Sequence, residues 1–248
     1  MTDGSLATLV RATGERSKNR LLLAQFLMQQ SRVEDAVHIF SQIEKAERLA
    51  APETAGFVNE LLTSGKIERA HQLWKELLAA PDAKQALLWN GSFEDASPAH
   101  LNQFDWQLRG SEYAQLTIDS YVAHTGTKSL RLDFFGRDTT RLTNEIRQLI
   151  VVRPGARYRL SAFVRTAKLQ TPEGPCLVVL TQDGAHSLAA SSPINAAVTD
   201  WQAYSVDFTA PLQTPALIVT VQRTPKTSYD EPTQGTIWFD DFTLTELR

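Results

Sequence analysis

The sequence predicts an α plus β protein in two domains, an α-helical repeat segment over residues 1–85 followed by an antiparallel β-sandwich over residues 86–248. Three observations carry this reading. The apolar period changes from three-and-four spacing to two near residue 85. The helical part superposes on itself at a fixed offset of 34 residues. The remainder breaks into short alternating segments with turn residues about every ten positions.

In the first part, apolar residues return to one helix face in Leu21–Leu27, Val33–Ile43, Phe57–Leu62 and Ile67–Leu78. Pro52 suits a helix start, and Gly65 suits the turn between two helices. At the 34-residue offset Leu23 falls on Phe57, Leu27 on Leu61, Ser31 on Gly65, Ala36 on Ala70, Phe40 on Trp74 and Ile43 on Leu77. A small residue at the turn, then alanine and an aromatic on the second helix, resembles the tetratricopeptide repeat. Alanine lets paired helices approach, and the aromatic fills the gap to the next repeat. Arg20 and Thr54 depart from the family's Trp, and Val58 from its Gly. The resemblance implies a groove that binds a protein partner.

One further step back puts Leu6 on Phe40 and Leu9 on Ile43, so residues 4–13 read as the second helix of a repeat whose first is missing. The expectation is a chain that starts within an array and derives from a longer bacterial protein of the cell envelope, periplasm or exterior.

From residue 86 the predicted strands are Ala86–Trp89, Trp106–Leu108, Glu112–Ile118, Lys128–Phe134, Thr143–Val151, Tyr158–Thr166, Cys176–Thr181, Trp201–Thr209, Ala216–Gln222 and Gly235–Thr245. No helical pattern interrupts them, which points to a sandwich. Tyr158, Leu160, Ala162 and Val164 alternate with Arg159, Ser161, Phe163 and Arg165, so the first set belongs between the sheets. Pro154-Gly155 makes a tight turn, Pro fixing φ and Gly accepting a positive one.

Six segments then stand in order: Leu88–Glu94, Trp106…Gly110, Ala123–Leu132, Val152–Ala162, Trp201…Pro211 and Ile237–Leu244. Together they resemble the jelly-roll carbohydrate-binding modules of families four and nine. The resemblance implies a jelly roll that recognises a polysaccharide or oligosaccharide. It also implies a structural calcium ion, held by the side chains of Glu94 and Asp241 (or Asp240) and the carbonyls of Ser92, Lys128 and Asp241. Hard oxygen ligands of this kind suit calcium.

Sugar binding needs aromatic platforms and planar polar side chains. Phe163 and Arg165 on the face opposite the core, with Gln182 and Gln222 at strand ends, are the carbohydrate-binding candidates. Tyr113, Tyr121, Phe135 and Tyr229 are candidate loop aromatics. Trp106, Trp201 and Trp238 lie within the fold-defining motifs and are assigned to the core.

Composition removes other classes. The net charge is −3, and neither part has a basic surplus: 11 basic and 11 acidic residues in 1–85, then 14 and 17. Phosphate-rich partners are therefore not expected. Cys176 is the one cysteine, so an internal disulfide and a cysteine-rich metal site are excluded. No apolar run reaches the ~20 residues of a membrane span, and residues 1–4 lack the basic start of a leader. His38, His71, His100, His124 and His186 are scattered, and no nucleophile elbow, phosphate loop or His-Glu-x-x-His stretch is present. The expectation is a non-catalytic binding protein. The alternative is an interaction scaffold in which the sandwich serves as a spacer.

Overall fold

The computed structural model describes residues 8, 11, 16–78, 86–95, 97–227 and 231–248. Leu6, Leu9, the junction at Pro81–Gln85 and Tyr229 lie outside these residues. The chain forms two compact units, Met1–Lys84 with Pro98–Gln103, and Gln85–Ser97 with Phe104–Arg248. The division is thus not a single cut. Pro98–Gln103 returns to the helical unit, where the Trp74 indole N–H donates to the carbonyl of Leu101 at 2.8 Å.

The helical unit contains α1 (Ser17–Gln29), α2 (Val33–Ser41), α3 (Lys45–Ala50), α4 (Glu53–Thr63) and α5 (Ile67–Leu78). The 34-residue offset survives as repeated geometry. The Arg32 amide donates to Leu27 O at 2.9 Å, and the Lys66 amide repeats this to Leu61 O at 2.8 Å. Ser31 and Gly65, the paired turn residues, both take positive φ, 58° and 74°. Ala36, Ala70, Phe40 and Trp74 are all fully buried. Phe40 stacks on Phe57 with ring centroids 4.5 Å apart, joining one hairpin to the next.

The sandwich contains β1 (Gln107–Leu108), β2 (Ala114–Asp119), β3 (Ser129–Arg137), β4 (Ile146–Val151) and β5 (Arg157–Gln170). It continues with β6 (Cys176–Thr181), β7 (Ser187–Ala190), β8 (Thr199–Thr209), β9 (Ala216–Gln222) and β10 (Thr233–Leu247). One sheet has the order β1-β4-β9-β6-β7, the other β2-β3-β10-β5-β8. Every pairing between them is antiparallel. Alternate residues close the core: Leu130, Leu132 and Phe134 from β3, Tyr158, Leu160, Ala162 and Val164 from β5, Ile237 and Phe239 from β10.

Three sequence expectations change here. Ala86–Trp89 is not a strand. Instead the Gln148 side-chain amide takes both backbone groups of Trp89, accepting its N–H at 3.0 Å and donating to its carbonyl at 2.9 Å. β7 was not expected, since four residues with two alanines carry little strand signal. Trp106 is in the core, but Trp201 and Trp238 are not part of it. Ile237 and Phe239 take the inward positions of β10, so alternation sends Trp238 outward.

Candidate functional site

The outward face of the β2-β3-β10-β5-β8 sheet concentrates the aromatic and polar side chains. Trp238 on β10 pairs across with Arg131 of β3 and Arg165 of β5. The two guanidinium carbons lie 5.6 and 5.9 Å from the Trp238 ring centroid. The indole is thereby roofed by two cations, an arrangement its ring quadrupole favours, and it is only 9% exposed. Its N–H donates to Asp119 Oδ2 at 2.9 Å.

Asp119 anchors this corner. Burial alone would raise its pKa, yet hydrogen bonds from the Trp238 indole and the amides of Tyr121 and Val122, with the charge of Arg131, bring it below the ordinary carboxylate range. Arg131 forks onto Asp133, Nε at 2.8 Å from Oδ2 and Nη2 at 3.0 Å from Oδ1. That pairing raises its own pKa. A pocket of about 430 Å³ opens beside these groups, lined by Gln115, Thr117, Asp119, Tyr121, Arg131 and Asp133 among others. Tyr121 is 98% exposed at its edge.

Toward β8 the face is aromatic. The His124 ring stacks on Phe163 at 3.7 Å between centroids and meets Trp201 edge-on at 5.6 Å. Between β5 and β8 the register skips: Val164 faces Gln202, while Thr166 faces Thr199. Asp200 and Trp201 therefore lie across from Arg165. Trp201 remains partly exposed.

Of the four carbohydrate-binding candidates, Phe163 and Arg165 share this face on β5. Gln182 and Gln222 do not join them. Both belong to the other sheet, and the β6–β9 register, with Cys176 opposite Gln222 and Thr181 opposite Leu217, puts them at opposite ends of it. Gln222 donates its amide to Thr143 O at 3.2 Å. Strand ends that match in sequence need not share a sheet, which is why the spacing misled. Trp201, Trp238, Arg131, Asp119 and His124 complete the face; on sequence, Trp201 and Trp238 are assigned to the core, and neither Arg131 nor Asp119 is singled out. Outward alternation from the core residues Ile237 and Phe239 was the available signal for Trp238.

The loop 124–128 is clasped from two sides. Glu94 Oε1 accepts the amides of Thr127 (2.5 Å) and Lys128 (2.7 Å), and Oε2 accepts the Thr127 hydroxyl at 2.8 Å. Those Thr127 contacts come first in holding Glu94 below the usual carboxylate range. Lys128 Nζ donates to the Glu94 carbonyl at 2.8 Å. Gly126 makes room: at its φ of +63°, an added Cβ would stand 2.3 Å from Glu94 Oε1.

On the other side Asp240 Oδ2 accepts the His124 amide at 2.7 Å, and Asp241 accepts from His124 Nδ1 at 2.6 Å and the Thr125 hydroxyl at 2.7 Å. Asp241 takes φ 47° within a register shift between Asp240 and Thr243. The bulge turns both aspartates onto one loop, where simple alternation had put them on opposite faces. Asp240 is fully buried, and that burial raises its pKa despite the amide hydrogen bonds.

The two carboxylates expected to hold calcium, Glu94 and Asp241, both reach the 124–128 loop, where they accept N–H and O–H groups from it. Among the described residues, His, Cys, Asp and Glu form no three-residue metal group. A cation here would therefore draw on carbonyl oxygens as well.

The fold and this face define a two-sheet jelly-roll module. Residues 85–228 match the profile of the Carbohydrate binding domain family that joins families four and nine, and the chain belongs to that family. A search of curated proteins returned no match. Among solved structures, "CBM4 structure and function" is 19% identical, with a TM-score of 0.45, covering 64% of this chain and 99% of the other. "Family 16 Carbohydrate Binding Module-2" is 22% identical, with a TM-score of 0.41, covering 64% and 99%. A family 61 module in complex with beta-1,4-galactotriose is 16% identical, with a TM-score of 0.41, covering 66% and 99%. No helix among the described residues is long and apolar enough to cross a membrane.

Proposed function

We propose that this protein binds a polysaccharide without cleaving it, through the outward face of the β2-β3-β10-β5-β8 sheet. The observation that supports this is the row Arg165–Trp238–Arg131, flanked by partly exposed Trp201 and by the Tyr121 pocket. Sugar rings present an apolar face and a rim of hydroxyls. Trp201 and Tyr121 suit the first, and Arg131, Asp133 and Gln115 suit the second. The test is affinity electrophoresis of the intact protein against a panel of soluble polysaccharides, with reducing-end release assayed in parallel. Retardation by at least one polysaccharide without release of reducing ends is expected. No retardation by any of them overturns the reading.

We further propose that calcium occupies the clasp, held by Glu94 and Asp241 with the carbonyls of Ser92, Lys128 and Asp241. It would serve as a structural tie. Lys128 Nζ donates to the Glu94 carbonyl beside the proposed site. Calcium should raise the Tm, and Glu94→Gln should lower the metal-free Tm and abolish the calcium response. A Tm indifferent to calcium and to chelator removes the metal from the reading.

The helical unit is read as a tetratricopeptide-like scaffold for a protein partner. The turn hydrogen bonds repeated at 34 residues support that. The reading as a whole suits a protein of the bacterial cell envelope, periplasm or exterior.

A further inference from the structure

We infer that the ligand of this face is an acidic polysaccharide and that Arg165 takes its carboxylate. This rests on the reading of the face as a saccharide site and names the class of sugar.

Two arginines of this face are neutralised by fork pairs. Arg131 forks onto Asp133. Arg159 forks onto Asp207, Nε at 2.6 Å and Nη2 at 2.9 Å. Arg165 stands across Trp238 from Arg131 and on the same strand as Arg159. Among the described residues its guanidinium has neither a hydrogen bond nor an ion pair, and its one recorded side-chain interaction is with the Trp238 ring. The contact with the indole, 5.9 Å from the guanidinium carbon to the ring centroid, uses none of its N–H groups and leaves the planar fork free for a two-oxygen acceptor.

Across the register skip stands Asp200, whose carboxylate accepts the Trp201 amide at 2.9 Å. It forms no ion pair with Arg165. The arrangement therefore offers two things side by side: an unpaired guanidinium and, at Trp201, a partly exposed aromatic surface. A neutral sugar uses the second. A uronic acid residue uses both, its ring against the indole and its carboxylate on the fork.

The experiment compares polygalacturonate, alginate and a glucuronate polymer with fully methyl-esterified polygalacturonate, which keeps the backbone and removes the charge. Dextran sulfate is the arm for a sulfated source. Affinity of the intact protein is measured by calorimetry at low and high salt. An acid polymer should bind at least ten-fold more tightly than the ester, more weakly at high salt. Arg165→Met keeps the stem over Trp238 and should lose that ten-fold. Arg165→Lys should recover only part of it. Near-ultraviolet circular dichroism checks that the variants are folded.

Equal affinity for acid and ester forms, or full acid binding by Arg165→Met, overturns the inference. Binding to neutral polysaccharides alone overturns it while the saccharide reading stands. Binding to dextran sulfate alone overturns the assignment of a carboxylate. Binding to none of the polymers overturns both.

Discussion

In the β1-β4-β9-β6-β7 sheet, the outward positions of β6 and β9 carry Val178, Leu180 and Ile218, exposed by only 4, 5 and 2%. They pack as an apolar cluster of their own, with Leu149 and Cys176 beside them. In the β2-β3-β10-β5-β8 sheet, the outward positions carry Arg131, Arg165, Trp238 and Phe163. Both sheets use the same inward alternation, so their cores read alike. The outward positions are where they part. β9 is apolar and buried almost throughout, because both of its faces are buried. β5 alternates from Arg157 to Thr166, because its second face is left for polar work. In this sandwich, strand period reports the core, and the chemistry of the other face must be read from the remaining residues one at a time.

The sharpest way to break this comparison is to empty a position on the apolar outward face. Ile218→Ala should cost about 2–5 kcal/mol, in the range expected of a core truncation. Phe239→Ala, in the inter-sheet core, is the reference at about 3–5 kcal/mol. Both are measured by chemical denaturation at equilibrium. If Ile218→Ala costs under ~1 kcal/mol, the outward cluster is not a second core and the contrast between the sheets fails.

A middle-sized effect belongs to the polar face. Asp119→Ala leaves the Trp238 indole N–H without its acceptor and Arg131 without one of its two carboxylate neighbours. The expected cost is about 1–3 kcal/mol, with a shift in tryptophan fluorescence as the indole loses its fixed hydrogen bond. A smaller loss with unchanged fluorescence would mean that the two arginines alone hold the ring. The polar face would then be less tightly organised than its hydrogen bonds indicate.

Strands β6 and β9 were legible to the residue, because Cys176–Thr181 and Ala216–Gln222 are apolar runs bounded by turn residues. The 34-residue repeat was legible because Ala36, Ala70, Phe40 and Trp74 must all be buried, and burial constrains residue type. The site was less legible, for two physical reasons. Which strands share a sheet is set by pairing order, so Gln182 and Gln222 looked equivalent to Phe163 and Arg165. Tryptophan also fits both a core and a roofed outer face, so its type alone pointed to the core, although alternation with Ile237 and Phe239 sends Trp238 outward. Asp240 and Asp241 add a third case. A bulge of one residue overrides alternation, and nothing in Phe239–Phe242 announces it.

The smallest effect on stability should accompany the largest on binding, and Trp201 is where the two separate. Its side chain meets His124 edge-on but lies outside the inter-sheet core. Trp201→Ala should therefore change stability by no more than about 1 kcal/mol, typical of a surface substitution that loses one aromatic contact. If Trp201 is a sugar platform, the same change should weaken polysaccharide binding at least ten-fold, or ~1.4 kcal/mol. The apolar sheet predicts the reverse pattern for Ile218→Ala, a large loss of stability with glycan affinity unchanged in the folded fraction. Measuring both variants by denaturation and by calorimetry tests the two faces against each other. Should Trp201→Ala unfold the protein while Ile218→Ala spares it, the roles assigned to the two sheets are exchanged.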